Sequence, residues 1–254
     1  MKITASIVTY NSADDILVVL ESLSKIELED FEITVVDNAS SDNTVNLIKA
    51  YYQNVKIIES KENMGFGAGH NLALRCIESD YHIFINPDIS VESSQIKKMV
   101  SYLEENKDVV ILTPKVFNPD GTEQFLPKIF PKIKYVISGK FEDKAKIFYK
   151  WRSEYTFRNR IINEPVEIQY ATGCFMVCRT SALKAVGGFD ERYFLHFEDA
   201  DLTREMLKEG RVIYNPNVYV THVWHRDNIK NKKIGKIAIK SMKMYFKKWG
   251  YLGK

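Results

Sequence analysis

YHIFINPDIS, residues 81–90, sets a short apolar run against Asn86-Pro87-Asp88, and a polar helical pattern begins just after it. The run has the length and composition of a buried strand. Pro87 lacks an N–H and disfavours helical geometry at Asn86, so the strand must end there. Asp88 is then either a turn residue capping the next helix, or a hard carboxylate at the strand tip able to bind Mg²⁺ or Mn²⁺.

On either side of this stretch, ITASIVTY (3–10), FEITVVD (31–37), VKIIES (55–60) and VVILTP (109–114) read as further strands. Helical patterns lie between them near 13–25, 42–52, 66–79 and 92–106. This alternation predicts an α/β fold with right-handed crossovers and a mostly parallel, Rossmann-like sheet flanked by helices. Ligands of such sheets bind at the carboxyl ends of the strands. Those ends carry Thr9-Tyr10-Asn11, Asp37-Asn38-Ala39-Ser40, KENMGFGAGHN (61–71) and Asn86-Pro87-Asp88, so polar groups gather at one edge.

Beyond residue 115 the rhythm weakens. Residues 125–165 are rich in Lys and aromatics, contain Pro127 and Pro131, and show no clear period: an insertion, a mobile loop or a short helical arm. VEIQYATGCFMVCR (166–179) reads as a strand pair around Gly173, followed by a short helix from Thr180. GGFDERYFLHFEDADLTREMLKEG (187–210) reads as a loop entering a helix with acids at its start, and RVIYNP and VYVTH as short strands within 211–222.

The chain has 254 residues, 45% of them hydrophobic, enough for a packed core. Cys76, Cys174 and Cys178 form no metal-ligand pattern and suit a reducing, cytoplasmic setting. The N-terminus starts like a strand rather than a signal peptide, and no apolar run approaches the roughly 20 residues that span a bilayer. The net charge of +3 is unevenly spread. Residues 226–254 hold ten Lys or Arg against Asp227 alone, and a second basic stretch runs from Lys128 to Arg160. Both are candidates for anionic partners.

Several side chains admit two readings. Asp37, at a strand end, is a turn residue or an acceptor for a nucleobase or ribose. GFGAG (65–69) resembles a phosphate-cradling loop, but His70 stands where the dinucleotide fingerprint wants a third glycine, so a tight turn explains it equally. HFEDADL (196–202) either caps a helix with acids or presents a carboxylate beside apolar walls, which raises its pKa toward that of a general base. His222 and His225 are structural, or one of them joins Asp88 in a mixed oxygen–nitrogen metal site.

In order, SIVTYN (6–11), VVDNASSDNT (35–44), ENMGFGAGHN (62–71), NPD (86–88), ATGCFMVCR (171–179), GGFDERYFLHFEDADL (187–202) and VTH (220–222) resemble the family-2 glycosyltransferases of GT-A fold. The resemblance is nearest to the bacterial rhamnosyltransferase-like branch and spans residues 3–222. It implies that Thr9, Tyr10, Asn11, Asp37 and Asn38 lie around the nucleoside of a sugar nucleotide, with Asn63, Gly65 and Asn71 shaping the wall near the sugar and diphosphate. Asn86 and Asp88 stand where many relatives have Asp-x-Asp, so Asp88 becomes the metal-binding acid, with His222 as a second ligand and His225 as its alternative. Asp199, preceded by Glu198, matches the general base of an inverting transfer, with Mn²⁺ or Mg²⁺ as cofactor. The implied donor is dTDP-L-rhamnose and the implied acceptor a cell-surface polysaccharide or a lipid-linked glycan. On this division residues 1–225 form the GT-A domain, with 1–115 the nucleotide-sugar half and 116–225 the acceptor and catalytic half.

Residues 226–254 read as a separate basic amphipathic helix. Ile234, Ile237, Ala238, Ser241, Met242, Tyr245 and Trp249 repeat as one stripe with Phe246 beside it, and lysines lie away from its centre. Such a helix, about residues 231–254, lies on an anionic membrane surface such as the inner face of a bacterial cell membrane, packs on its own domain, or meets a second subunit in a homodimer. No nucleic-acid motif accompanies the charge, so nucleic acid is not an expected partner. Rival readings are a sugar-nucleotide nucleotidyltransferase and a catalytically silent binding module. The first lacks its basic loop after strand one, and the second should have lost Asp37, Asp88 or Asp199.

Overall fold

The computed structural model describes residues 1–223 and 232–251. Its strands are β1 (Ile3–Thr9), β2 (Phe31–Asp37), β3 (Lys56–Glu59), β4 (Tyr81–Ile85), β5 (Ile89–Ser90), β6 (Val109–Phe117), β7 (Glu123–Gln124), β8 (Val166–Glu167), β9 (Phe175–Arg179) and β10 (Arg211–His222). The helices are α1 (Ile16–Ser24), α2 (Thr44–Tyr51), α3 (Phe66–Leu74), α4 (Ser93–Glu105), α5 (Ile133–Phe141), α6 (Lys146–Tyr155), α7 (Thr180–Val186), α8 (Glu198–Met206) and α9 (Lys232–Trp249).

One sheet runs in the order β3-β2-β1-β4-β9-β6-β10-β5, with β7 paired to β6 and β8 to β10. β3, β2, β1 and β4 are parallel, as the strand–helix rhythm predicts. Their register sets Thr9 beside Asp37 and Ile7 beside Ile85, so the polar strand tips are level. β9 then enters antiparallel between β4 and β6.

Two local expectations change and one open choice is resolved. Residues 166–179 do not form a strand pair: β8 joins β10, whereas β9 joins β4 and β6. RVIYNP and VYVTH form one strand, β10, interrupted by a register shift between Asn215 and Tyr219, where Pro216 cannot donate to the ladder. Within residues 125–165 the helical arm is the reading that holds. α5 and α6 pack together by stacking Tyr135 on Tyr155 and by pairing Arg152 and Arg158 with Glu142.

Strand alternation divides the core. Ile83 and Ile85 face one layer with Ile7, Leu20 and Ile96, while Phe84 faces the other with Met176, Phe189 and Leu202. Cys174 and Cys178 fall in different layers as free, buried thiols, and burial pushes Cys174 up to about 12. A third cluster joins Tyr245 and Phe246 of α9 to Tyr193, Ala200 and Val136. Ser241 Oγ adds a 2.8 Å bond to the Leu195 carbonyl. The apolar stripe of the C-terminal helix therefore packs on its own domain.

The histidine in the third-glycine position belongs to the core. His70 Nδ1 lies 2.7 Å from Ser6 Oγ, which also contacts His82 Nε2 at 2.8 Å, and His82 Nδ1 reaches Thr4 Oγ1 at 2.8 Å. Burial lowers both imidazoles, His82 to about 3. Because the folded pKa is depressed, the unfolded chain binds the proton first. The stability His82 contributes is complete above its unfolded pKa near 6.5 and is lost as pH falls toward 3. Chemical denaturation at pH 7 and pH 5 should show a loss of stability that exceeds the loss in His82→Gln by about 2 kcal/mol. Equal losses in the two proteins would contradict the buried neutral imidazole.

Candidate functional site

The level strand tips open into a cleft of about 640 Å³ lined by Tyr10, Asn11, Asn86, Asp88, Thr172, Gly173, His196, Glu198, Asp199 and His222, among others. A larger groove of about 710 Å³ includes Leu28, Phe31 and Tyr51, but it lies at the amino end of β2 with Glu32 as its one acid. The cleft contains five carboxylates, those of Asp14, Asp15, Asp88, Glu198 and Asp199. Among the described residues its lining holds no Lys or Arg. An anionic ligand entering here meets a lining that is negative.

Asp88 meets His222 because β5 pairs antiparallel with β10, setting Ile89 beside His222, while Val223 N–H donates to the Asp88 carbonyl at 3.0 Å. His222 Nε2 lies 3.1 Å from Asp88 Oδ1. The nitrogen is buried and has no hydrogen-bond partner among the described residues. An imidazole nitrogen aimed beside a largely buried carboxylate, in a cleft short of positive charge, is a donor set that fits Mn²⁺ or Mg²⁺. Among the described residues no group of three or more His, Cys, Asp or Glu side chains gathers around an ion site, so a cation would take its other ligands from water or from the bound molecule. His225 lies outside the described residues.

Asp199 stands in the first turn of α8. Tyr170 donates its hydroxyl to both carboxylate oxygens at 2.9 and 3.0 Å, Gly173 N–H donates to Oδ2 at 3.0 Å, and Ala200 N–H to Oδ1 at 2.8 Å. The Cβ that any other residue would add at 173 would sit 3.3 Å from Asp199 Cβ and 3.1 Å from the Phe66 ring. Next to it, burial and then the Asp199 charge push Glu198 well above the ordinary carboxylate range, favouring its protonated form. Its Oε2 is buried in the cleft with no hydrogen-bond partner among the described residues.

The approach to α8 is strained. His196 and Phe197 both adopt left-handed φ of 68°, a conformation that costs non-glycine residues on the order of 1–3 kcal/mol each. α9 holds this turn: Phe197 packs on Tyr245 and Phe246, while Lys248 and Trp249 donate to Asp201 at 2.8 and 2.6 Å. Asp201, the third acid of FEDAD, is thus an anchor for α9.

The cleft brings together Tyr10, Asn11, Asn86, Asp88, Glu198, Asp199 and His222. The remaining candidates lie behind or beside it. Thr9 Oγ1 and Ser40 Oγ donate to Asp37 Oδ1, and Ser40 N–H donates to Oδ2, so this buried carboxylate braces the loop after β2. Asn38 donates to the Gly65 carbonyl at 2.9 Å, and Asn63 Oδ1 accepts from Gly65 N–H at 2.9 Å. Gly65 itself has φ +89°, and a Cβ there would lie 2.0 Å from the Phe194 carbonyl oxygen. Asn71 faces away from the cleft, bonded to the Phe189 backbone and to Glu191.

Two residues meet Asp199 that the sequence did not place there, although Lys128 opens its second basic stretch. One is Tyr170. The other is Lys128, whose ammonium lies 4.5 Å from the Tyr170 ring centre and donates to Thr172 Oγ1 at 3.0 Å. Burial lowers Lys128 to about 8, with the Asp199 charge opposing the shift. Because the folded pKa lies below the unfolded value, the charged lysine destabilises the fold below about pH 8, and that cost fades toward pH 10.5. Lys128→Met should therefore raise the unfolding free energy at neutral pH by up to about 3 kcal/mol. A less stable variant would contradict the assignment of a destabilising charge beneath the site.

The sequence matches the profile of glycosyl transferase family 2 over residues 4–187. It is 26% identical over 231 residues to the N-acetylglucosaminyl-diphospho-decaprenol L-rhamnosyltransferase of Mycobacterium tuberculosis H37Rv, covering 85% of this chain and 74% of that one. It is 28% identical over 234 residues to the rhamnosyltransferase WbbL of Escherichia coli K12, covering 87% of this chain and 83% of that one. In fold it is similar to the Staphylococcus aureus TarS fragment 1–349 bound to UDP-GlcNAc, with a TM-score of 0.62, 20% identity and coverage of 97% of this chain and 73% of that one. It is also similar to a Pyrobaculum calidifontis mannosyltransferase in complex with GDP-Man and Mn²⁺, with a TM-score of 0.64, 15% identity, and coverage of 97% and 64%. With the profile spanning well over half of the chain and the architecture shared, this protein has the GT-A fold and belongs to glycosyl transferase family 2.

Proposed function

We propose that the protein is an inverting, metal-dependent transferase that moves L-rhamnose from dTDP-rhamnose to a hydroxyl of a polysaccharide or lipid-linked glycan precursor. The observation that carries this reading is the sharing of one cleft by Asp88 with His222 and by Glu198 with Asp199. The names of two relatives support rhamnose as the sugar moved, and that of the mycobacterial relative supports a lipid-linked acceptor.

Asp199 acts as the base. Tyr170 shares its hydroxyl between the two carboxylate oxygens, so it can settle on one and leave the other for the acceptor hydroxyl. As that proton passes to Asp199, the acceptor oxygen forms its bond to C1 of the sugar, and the bond from C1 to the diphosphate oxygen breaks on the opposite face. A group in this role contributes roughly 10²–10⁴-fold to rate. Glu198, whose protonated form burial favours, would donate a hydrogen bond to a sugar bound in the cleft. Asn86 and Pro87 shape the turn that presents Asp88, and Tyr10 and Asn11 flank the nucleoside. Asp37 acts through the loop it braces. A divalent cation on Asp88 and His222 would supply the positive charge against which a diphosphate leaves.

The acceptor class suggests where the protein works. No helix among the described residues is long and apolar enough to cross a membrane. With its apolar stripe packed inward, α9 leaves Lys236, Lys240, Lys243 and Lys247 exposed along with Ile239, which is 52% exposed. This face suits peripheral attachment to the anionic inner surface of a bacterial membrane through charge rather than insertion, worth about 1 kcal/mol per lysine near the surface. Truncating the helix would confound the test, since it also braces α8.

Three outcomes are expected. Asp199→Asn should retain binding of the sugar nucleotide while its turnover falls by at least about 10²-fold, and turnover near wild type would refute the base. A panel of sugar nucleotides run on the wild type should single out dTDP-rhamnose. The triple variant Lys236→Glu, Lys240→Glu, Lys243→Glu should lose co-sedimentation with anionic vesicles yet keep transfer to a soluble acceptor. Undiminished co-sedimentation would contradict the lysine face.

A further inference from the structure

Resting on that reading, the structure assigns a role to Gln124: it is a positioning residue that fixes the tautomer of His222, so that the nitrogen facing Asp88 carries a lone pair ready for a divalent cation. Neither the family motifs nor the sequence patterns point to this glutamine.

One contact of Gln124 has a single possible polarity. Gln124 Nε2 lies 2.9 Å from the backbone carbonyl oxygen of His222, an atom that can only accept. The nitrogen of the amide must therefore face this carbonyl, and the flipped orientation would set two oxygens against each other. The second hydrogen of the same NH₂ goes to Asn118 Oδ1 at 2.7 Å. Asn118 is oriented in turn, since its Nδ2 donates to Thr122 Oγ1 at 2.8 Å and to the Thr122 carbonyl at 3.3 Å. With both donors committed, Gln124 meets His222 Nδ1 through its own carbonyl oxygen, Oε1, at 3.0 Å. That oxygen accepts, so Nδ1 must hold the proton. In the neutral ring, Nε2 is then the bare nitrogen, 3.1 Å from Asp88 Oδ1. Two electron-rich atoms this close are reconciled by a proton or a metal cation shared between them, and a divalent ion can replace the proton.

The backbone makes this arrangement rigid. Gln124 is 6% exposed and sits on β7, paired with Val116 of β6. The intervening turn, NPDG (118–121), closes through Asn118 N–H to the Thr122 carbonyl and has Gly121 at φ +81°. Gln124 thus touches His222 twice, at the ring and at the backbone, and acts on the cation only through it. Second partners of this kind are typically worth about 10–100-fold in metal affinity.

The test reads the ring and the metal separately. In the metal-free wild-type protein, at a pH where the ring's own ¹⁵N shifts show it neutral, long-range ¹⁵N–¹H correlation should find His222 protonated on Nδ1. In Gln124→Leu the Nε2-protonated form should appear, and the affinity for Mn²⁺ alone, followed by its electron paramagnetic resonance, should fall by about 10-fold or more. A wild-type His222 protonated on Nε2 overturns the inference with no variant needed, and so does a Gln124→Leu protein with an unchanged tautomer. If wild-type protein fails to bind Mn²⁺, the metal-dependent reading falls, while the tautomer still decides the role of Gln124.

Discussion

The short antiparallel ladder between β5 and β10 is the contact on which the site depends. Pro87 ends β4 without a hydrogen-bond donor, and the chain turns at once to pair Ile89 with His222. That pairing brings a carboxylate from the first half of the chain against an imidazole from the end of the sheet. Beside it, the Asn86 N–H donates to the Cys174 carbonyl just beyond Gly173, continuing the pairing of β4 with β9 along the cleft. Removing the ladder would separate Asp88 from His222 without disturbing the parallel strands that carry Thr9 and Asp37.

Charge gives the cleft its second constraint. Five acids in one opening, with no lysine or arginine among the described lining residues, repel each other and any anionic ligand. The fold relieves part of this by burying Glu198 so that its protonated form is favoured, and by surrounding Asp199 with hydroxyl and backbone donors. A divalent cation held by Asp88 and His222 would relieve the remainder. The left-handed pair His196 and Phe197 shows a similar trade, with local strain offset by the packing of α9.

The parallel half of the sheet was legible because alternating apolar runs and helical periods leave little choice of topology. The cleft was legible because parallel strands level their tips. Other features depend on distant contacts. NPD occurs at 86–88 and again at 118–120, yet Asp120 only closes an exposed turn with Thr122, whereas Asp88 is largely buried beside His222. No local pattern separates the two. α5 and α6 gave no helical period because Ile133, Ile137 and Ile147 point to solvent, while tyrosine stacking and ion pairs hold the arm. The stripe of α9 was correctly periodic, but a period says only that one face is covered, not by what. Lys128 sits in aperiodic sequence and Tyr170 between two short strands, and their meaning comes from Asp199 of α8.

The proposed chemistry turns on Asp88 and His222 offering a cation site that completes an otherwise acidic cleft for a diphosphate. Calorimetric titration of the wild-type protein with dTDP, in the presence and absence of Mn²⁺, tests it most directly. Mn²⁺ should tighten nucleotide binding by at least about 10-fold, with dTDP reciprocally tightening Mn²⁺. Equal affinity for dTDP with and without the metal would contradict a cation site at this pair.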